Sequence, residues 1–481
     1  MKNGKAPGPD EITGEEIKAA NPVDITDTLN QLMIKKDSTL TEGFLVPIEK
    51  PGKDPGKPDS YRPVILLSAY RKLLSQIVLD RINPILESSL SSSQFAYRTN
   101  RSTGDIVLGH KYLLAGAIAK GLTMYCTGID MSKAFDNVIR SKLLEILAER
   151  GVPIHDITII KLLLTNTHLQ VKDGKDVGDL FETNKGVPQG DGLSPKLFTI
   201  YLDEALREID RKLDSDHQGY QKKGTATTLQ GHDYFKNARI ELPRHLEYAD
   251  DVDFFTTSEE DANKIEKVAA EVLQKYNLKV NPEKTEIFKY HKDTDLRKVR
   301  KLGTVLDELA EINRRKHLSQ LAMSKYKKIW KNRFINTKKK VKIYNVYVRS
   351  ILLYNCSTWT SNKSTANKLD AFHRKQLRRV INIRYPKIIK NEDLYKITSQ
   401  KRISEHILER RKAHLGHILR RNHPIRGILH HIKTLPPKGR APANILKTYE
   451  EDLGTDNLQT WTTRALAKRL QRITIRVPKL N

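Results

Sequence analysis

The chain has 481 residues, enough for two or three domains and a sizeable core. Its 85 Lys plus Arg exceed its 57 Asp plus Glu, and the formal net charge of +28 favours a polyanionic partner such as nucleic acid. The two cysteines exclude a disulfide framework and a cysteine-based zinc finger. The low cysteine count favours an intracellular protein, and because no run of about 18 apolar residues is present, we expect no membrane partner.

The N-terminal part combines a turn-rich extension, a strand and a basic loop. Residues 1–40 form the extension, and Phe44–Ile48 then reads as a strand that enters the loop EKPGKDPGKPDS. After this loop, apolar residues from Leu66 to Ile82 follow the helical period. They predict a buried helix that stops at the Asn83-Pro84 pair.

The central part alternates strands and helices. Met124–Asp130 reads as a buried strand and Ser141–Arg150 as a helix, and the glycine-rich loop NKGVPQGDGLSP precedes another helix. The stretch HLEYADDVDFFT, residues 245–256, reads as a strand hairpin, and a capped helix and a strand follow it. This order predicts an α+β fold with a ferredoxin-like arrangement in which strand ends meet on one face.

Three carboxylates fall at predicted strand ends. Asp250 and Asp251 lie between two apolar runs at the hairpin turn, and Asp130 follows the earlier strand. An Asp-Asp pair alone also fits an ordinary turn. Together, the three carboxylates could hold two Mg²⁺ ions, with Mn²⁺ as the alternative metal, for nucleotide transfer to a 3′-hydroxyl.

Five further residues suit nucleotide binding. Phe135 could place its ring under the sugar and exclude a 2′-hydroxyl, although an ordinary core role is equally compatible with the sequence. Gln189 could contact the template or the incoming nucleotide, and Gly190 permits close backbone approach. Lys50 and Arg62 are suited to gripping a triphosphate, which Arg can bind in a bidentate manner.

Beyond about residue 307, the sequence predicts helices with basic outer faces. Leu369, Phe372, Leu377 and Val380 form one apolar stripe. Three arginines remain available for phosphate binding, although a charge run can also be only a solvated face: Arg374, Arg378 and Arg379.

Several motifs, taken in order, resemble those of reverse transcriptases of non-LTR (LINE-like) retrotransposons. They are YRPVILLSAYRKLL at 61–74, QFAYRTNRST at 94–103, GIDMSKAFDNV at 128–138, GVPQGDGLSP at 186–195 and YADD at 248–251. KAPGPDEI at 5–12 resembles an upstream motif of such elements, VNPEKTEIF at 280–288 their lysine-bearing motif, and KLGT at 301–304 their primer grip. LLYNCSTWT at 352–360 resembles part of their thumb.

This resemblance implies a right-hand polymerase with fingers, palm and helical thumb, and a basic helical C-terminal extension. We expect an N-terminal extension at 1–40, fingers and palm at 41–305, a thumb at 306–400 and a basic tail at 401–481. The resemblance also implies that Lys284 donates a proton to pyrophosphate, although it could be an ordinary surface lysine, and that Arg98 contacts nucleic acid. Ala96-Tyr97 departs from the usual Gly-aromatic pair before that arginine.

The implied activity is RNA-directed DNA polymerisation with an RNA template, a DNA primer or target, and dNTPs, in an RNA–protein particle of the nucleus and cytoplasm. Such elements normally encode an endonuclease, and we expect this chain, which begins at the polymerase, to be a truncated copy or a fragment of a longer reading frame. Two alternatives stay open: a catalytically silent nucleic-acid-binding remnant, and an intron-encoded reverse transcriptase and maturase.

Overall fold

The computed structural model describes residues 3–120, 123–215, 244–282, 285–291, 293–360, 362–420, 425 and 445–454. The chain divides into two compact units, which we describe separately. Unit 1 comprises Met1–Thr99, Cys126–Thr225 and His245–Phe288, and unit 2 comprises Asn100–Tyr125, Ala226–Arg244 and Lys289–Asn481. The predicted domain boundaries stay predictions.

One four-stranded sheet of unit 1 has the strand order β2-β1-β5-β6. Its strands are β1 (Glu42–Glu49), β2 (Tyr61–Leu67), β5 (Thr167–Asp173) and β6 (Asp176–Thr183). β1 pairs antiparallel with β2 and parallel with β5, and β5 pairs antiparallel with β6. The sequence analysis did not predict the β5–β6 hairpin, in which Asp173 pairs with Asp176 and the two turn residues are Gly174, with a φ of +60°, and Lys175.

The second four-stranded sheet has the order β10-β3-β8-β7. Its strands are β3 (Met124–Ile129), β7 (His245–Tyr248), β8 (Asp251–Thr256) and β10 (Glu286–Tyr290). A short antiparallel pair of β4 (Met131–Ser132) with β9 (Lys279–Val280) extends beyond the end of β3. The predicted hairpin and the strands on either side of it are therefore present.

The helices of unit 1 supply most of its apolar core. They are α1 (Gly14–Ala19), α2 (Pro22–Lys35), α3 (Ala69–Ser89), α5 (Arg140–Glu149), α6 (Ile154–Leu164), α7 (Ser194–Ser215) and α8 (Glu259–Lys275). Fully buried side chains from α3, α5, α7 and α8 meet in one cluster, among them Val78, Leu147, Phe198 and Val272. The helices thus hold the strand ends in fixed positions.

The predicted end of the third helix was wrong. Leu66 belongs to β2, and α3 continues through Pro84 to Ser89. Proline removes one helical hydrogen bond. Leu86 lies beyond it and is 0% exposed, so apolar burial on the same helix face offsets that loss.

Unit 2 is mainly helical. Its helices are α4 (Thr103–Lys120), α9 (Glu308–Lys325), α10 (Lys327–Lys331), α11 (Thr337–Tyr344), α12 (Ser350–Leu352), α13 (Lys363–Val380), α14 (Asn391–Thr398), α15 (Ile403–Arg420) and α16 (Ile445–Leu453), and β11 (Arg300–Lys301) pairs with β12 (Thr304–Val305). Leu369, Leu377 and Val380 of α13 are buried, and Phe372 packs against one core cluster. The predicted apolar stripe is therefore confirmed.

The chain is an α+β protein, as predicted, with two four-stranded sheets and a mainly helical second unit. Among the described residues, no helix combines the length and apolar character needed to cross a membrane.

Candidate active site

The Asp250-Asp251 pair lies at the turn of the β7–β8 hairpin. Tyr248 pairs with Asp251, so Ala249 and Asp250 form a two-residue turn in which Ala249 has a φ of +58°. Leu246, on β7, is buried and fixes that strand against the core. Asp250 is half-buried and Asp251 is exposed, so both carboxylates stay at the surface of a buried hairpin.

Asp130 follows β3, which lies beside β8 in the sheet. Its carbonyl accepts a hydrogen bond of 2.9 Å from the Asn281 backbone N–H, which holds this corner of the chain. Cys126 Sγ and Asp253 Oδ1, one from each strand, are 3.6 Å apart. The predicted metal ligands thus lie on neighbouring strands, and their grouping around one metal site stays a prediction.

A cleft of about 790 Å³ lies at this end of the sheet. It is bordered by six of the predicted site residues, namely Lys50, Arg62, Phe135, Gln189, Gly190 and Asp250. Lys133, which is four residues after the end of β3, borders the same cleft as Asp250. The segment after β3 and the β7–β8 turn therefore border one cleft.

Lys50 and Arg62 lie on the β1–β2 hairpin. Arg62 pairs with Ile48, and the Lys50 backbone N–H donates to Ser60 O at 2.8 Å. The Lys50 ammonium donates to Asp59 O at 2.9 Å, so this side chain is held at the base of the loop. Their placement gives one wall of the cleft a positive charge.

Lys133 adds a cation that the sequence analysis missed. Its Nζ lies 2.7 Å from Asp59 Oδ1, with both side chains mostly exposed. This contact lowers the pKa of Asp59. The lysine has a φ of +50° and sits only three residues after Asp130, which is the signal that could have drawn attention to it.

Phe135 belongs both to the cleft and to the core. Its ring stacks on Phe198 at a centroid distance of 4.3 Å and meets the edge of Tyr97 at 6.5 Å. Because the ring is half-buried, one side packs inward while the remainder borders the cleft. The structure thus combines the two roles that the sequence left open, while the sugar-gate role itself stays a prediction.

The loop that carries Gln189 is bonded to β2. Gln189 O accepts from Ile65 N–H at 2.6 Å, and a Cβ on Gly190, which has a φ of +134°, would lie 2.3 Å from Ile65 O. Only glycine fits there. The Gln189 amide also donates to Asp136 Oδ1 at 3.3 Å. Burial raises the pKa of Asp136, whereas this hydrogen bond and nearby lysines oppose the rise.

Two arginines that the sequence analysis missed fix this loop, and of these Arg71 is buried and Arg140 is half-buried. Arg71 donates to Leu40 O at 2.5 Å and to Leu163 O at 2.6 Å, and its Nη2 lies 3.3 Å from Asp191 Oδ2. Arg140 donates to the carbonyls of Leu164, Thr183, Lys185 and Gly186, and burial lowers its pKa to about 10. Both arginines bind backbone carbonyls that are distant in sequence, so no motif near either arginine could have predicted these contacts.

Arg98 has a structural position in unit 1. Its guanidinium bonds to Glu87 Oε1 at 2.8 Å, to Ser91 O at 2.5 Å and to Gln94 O at 3.2 Å, and its side chain is 8% exposed. These contacts do not favour the predicted nucleic-acid contact, which stays a prediction.

The remaining predicted residues fall elsewhere. Arg374, Arg378 and Arg379 lie on α13 of unit 2, where Arg379 is exposed and Arg374 is half-buried. Arg378 donates to Asn391 Oδ1 at 2.9 Å and to Ile389 O at 3.3 Å, which engages part of its guanidinium. Lys284 lies outside the described residues.

Residues 48–306 match the family model described as reverse transcriptase (RNA-dependent DNA polymerase). Three Drosophila melanogaster proteins are similar to parts of the chain. The probable RNA-directed DNA polymerase from transposon BS is 31% identical over 158 residues, which are 32% of this chain and 17% of that protein. The corresponding values are 27% over 210 residues (42% and 23%) for the protein from transposon X-element and 26% over 213 residues (42% and 22%) for that from mobile element jockey.

These matches therefore span about a fifth of the length of the curated relatives. The structure of apo telomerase from Candida tropicalis aligns with 94% of this chain and 73% of that chain, at 14% identity and a TM-score of 0.42, a likeness too distant to support an inference. The retrotransposon relatives confirm the resemblance to reverse transcriptases of non-LTR elements. Because the family model covers more than half of the residues, the chain belongs to the reverse transcriptase (RNA-dependent DNA polymerase) family.

Proposed function

We propose that the chain is an RNA-directed DNA polymerase of a non-LTR retrotransposon. It transfers a nucleotide from a dNTP to a primer 3′-hydroxyl on an RNA template. One observation carries this proposal: a single cleft of about 790 Å³ combines three cationic side chains, the Phe135 ring, the Gln189-Gly190 loop and the Asp250 carboxylate. Family membership supports the same assignment.

The donor chemistry of the three aspartates fits a hard divalent cation. Carboxylate oxygens are the ligands that Mg²⁺ prefers, and Asp130, Asp250 and Asp251 occupy the ends of neighbouring strands. These residues would hold two Mg²⁺ ions, with Mn²⁺ as the alternative metal. When bound, such ions lower the pKa of the 3′-hydroxyl and neutralise charge on the triphosphate and leaving pyrophosphate.

The chain's own residues orient the nucleotide. Lys50 and Arg62 bind the triphosphate oxygens, for which the guanidinium of Arg62 offers paired donors. The ring of Phe135, held against Phe198, supports the sugar and leaves no room for a 2′-hydroxyl. Gln189 contacts the template or the nucleotide, and its bond to Asp136 orients its amide beforehand. Lys284 donates a proton to pyrophosphate in this scheme.

The nucleic-acid partners are an RNA template and a DNA primer or target. The formal net charge of +28 supports phosphate binding, and Arg374 and Arg379 on α13 are its proposed contacts in unit 2. The proposed setting is an RNA–protein particle of the nucleus and cytoplasm.

The decisive experiment is primer extension by the purified chain on poly(rA) with oligo(dT), dTTP and Mg²⁺. We expect extension by the wild type and none by Asp250→Asn, with equal RNA binding by both proteins. RNA binding without extension by the folded wild type would instead identify a catalytically silent nucleic-acid-binding protein.

A further inference from the structure

A short segment of the chain lies along the free side of β7. The Glu247 N–H donates to Ser93 O at 3.0 Å, and the Phe95 N–H donates to Glu247 O at 2.9 Å. These two bonds form a parallel bridge between Gln94 and Glu247. The segment Ser93–Phe95 is almost completely buried, so it supports the catalytic hairpin from the edge of its sheet.

The Gln94 side chain joins this segment to strand β7 and to the turn of the hairpin. Its Nε2 donates to Glu247 Oε2 at 3.0 Å, and its Oε1 accepts from Ala96 N–H at 2.8 Å and from Ala249 N–H at 3.4 Å. The other Glu247 oxygen lies 2.8 Å from His245 Nε2. Gln94 is 0% exposed, so water cannot replace these partners without a rearrangement.

The contact with Ala249 has a direct connection to the carboxylates. Ala249 is the turn residue with a φ of +58°, and Asp250 follows it immediately. A non-glycine residue in this conformation needs support from its surroundings. Gln94 supplies an acceptor to the N–H of that residue and thereby helps to fix the direction in which the chain enters Asp250.

The same segment also reaches the cleft. Tyr97, three residues after Gln94, borders the cleft together with Phe135 and Asp250. Burial raises the pKa of Tyr97, and the negative charge of Asp250 raises it further. The segment therefore contacts the hairpin through Gln94 and borders the cleft beside Asp250 through Tyr97.

We propose that Gln94 is a positioning residue that sets the orientation of the Asp250 and Asp251 carboxylates by bridging Glu247 and Ala249. This inference rests on the proposed polymerase function, since it assigns these carboxylates to metal binding. Gln94 touches neither substrate nor metal in this role. It acts through the hairpin backbone, as the partners of metal ligands commonly do.

The test replaces Gln94 with Met, which keeps the side-chain length and removes all of its polar contacts. The matched control is Gln376→Met in unit 2, because Gln376 is also buried, accepts from Tyr344 OH at 2.9 Å and donates to Ser319 Oγ at 3.0 Å. Mn²⁺ affinity is measured by electron paramagnetic resonance with a primer–template present. The apparent KM for Mg²⁺ and kcat at saturating Mg²⁺ are measured in parallel.

We expect Gln94→Met to weaken Mn²⁺ binding and raise the KM for Mg²⁺ by about tenfold or more, because changes around metal ligands commonly have this effect. The kcat at saturating Mg²⁺ should fall much less, and Gln376→Met should leave Mn²⁺ affinity unchanged. Unchanged Mn²⁺ affinity in Gln94→Met, or an equal loss in Gln376→Met, would overturn the proposal.

A second variant covers the case in which Gln94→Met does not fold. Gln94→Asn keeps the amide but is one methylene shorter, so it cannot reach Glu247 and Ala249 together. It should show the same loss of Mn²⁺ affinity, and wild-type affinity would contradict the bridging role. If the wild type extends no primer, the proposed function fails. The role of Gln94 is then tested by Mn²⁺ affinity alone: loss of Mn²⁺ binding in Asp250→Asn identifies the metal site, and the affinities of the Gln94 variants are compared with that of the wild type.

Discussion

The buried ion pair of Arg71 and Asp191 offers a sharp test of how the Gln189 loop is held. Their side chains are 1% and 2% exposed, and Arg71→Met removes the cation while it leaves Asp191 buried. Asp191 would keep the Ser75 hydroxyl at 2.9 Å and the Leu193 N–H at 3.2 Å as donors. The carbonyls of Leu40 and Leu163 would both lose the donor that Arg71 provides.

Removal of one partner from a buried ion pair costs about 3–5 kcal/mol. We therefore expect Arg71→Met to lower the free energy of unfolding by about 3–5 kcal/mol. The matched control is Arg211→Met, because the Arg211 side chain is 68% exposed and pairs with Glu204 at 2.8 Å. Such an exposed pair contributes less than about 1 kcal/mol.

Urea unfolding followed by circular dichroism measures both variants. The double variant Arg71→Met with Asp191→Leu removes both charges, and we expect it to recover part of the loss because the two residues are coupled. Equal stability of Arg71→Met and Arg211→Met would refute this account of the loop. The single variant Asp191→Leu completes the comparison, and a double variant whose loss equals the sum of the losses in Arg71→Met and Asp191→Leu would also refute it.

Four further outcomes are expected. Asp250→Asn should abolish primer extension while RNA binding in a filter assay stays unchanged; loss of both would indicate misfolding. Phe135→Val should raise ribonucleotide relative to deoxyribonucleotide incorporation by about tenfold, and an unchanged ratio in an active variant would return Phe135 to a core role. Arg374→Gln with Arg379→Gln should lower affinity for every duplex and reduce the salt slope by up to about one per lost contact; wild-type affinity and slope would show a solvated face. His373 is buried, and burial lowers its pKa to about 3, so stability is lost as pH falls below the unfolded value of about 6.5. Through this histidine, the wild type should lose about 1.4 kcal/mol of unfolding free energy between about pH 7.5 and 5.5. His373→Phe should lack this part of the loss, and identical pH profiles of the two proteins in urea unfolding would contradict this.

The local parts of the site were predictable from the sequence. The two short apolar runs around Asp250 predict a strand hairpin, and Ser258 caps α8 by accepting from Asp261 N–H at 2.9 Å, as its capping pattern indicates. These signals lie within a few residues of the structure that they specify. They therefore need no knowledge of distant contacts.

The supporting contacts were not predictable in the same way. Gln94 and Glu247 are separated by 153 residues, and Arg71 and Asp191 by 120. A buried polar residue has no periodic signature, and its partner follows only from the packed fold. The course of α3 through Pro84 was missed for a related reason. Proline locally favours the end of a helix, but burial of Leu86 outweighs that preference.

The contact between β2 and the Gln189 loop has a mechanical consequence. Arg62 lies on β2, Ile65 of the same strand bonds Gln189 O, and the Gln189 amide bonds Asp136, the neighbour of Phe135. The backbone of Gly190 lies directly against Ile65, so the loop and β2 are in close contact at this point. The residues proposed to contact the triphosphate, base and sugar are therefore linked by one continuous set of contacts. Such preorganisation reduces the ordering that must accompany nucleotide binding, and it couples nucleotide affinity to sugar discrimination whenever any one of these residues is loosened.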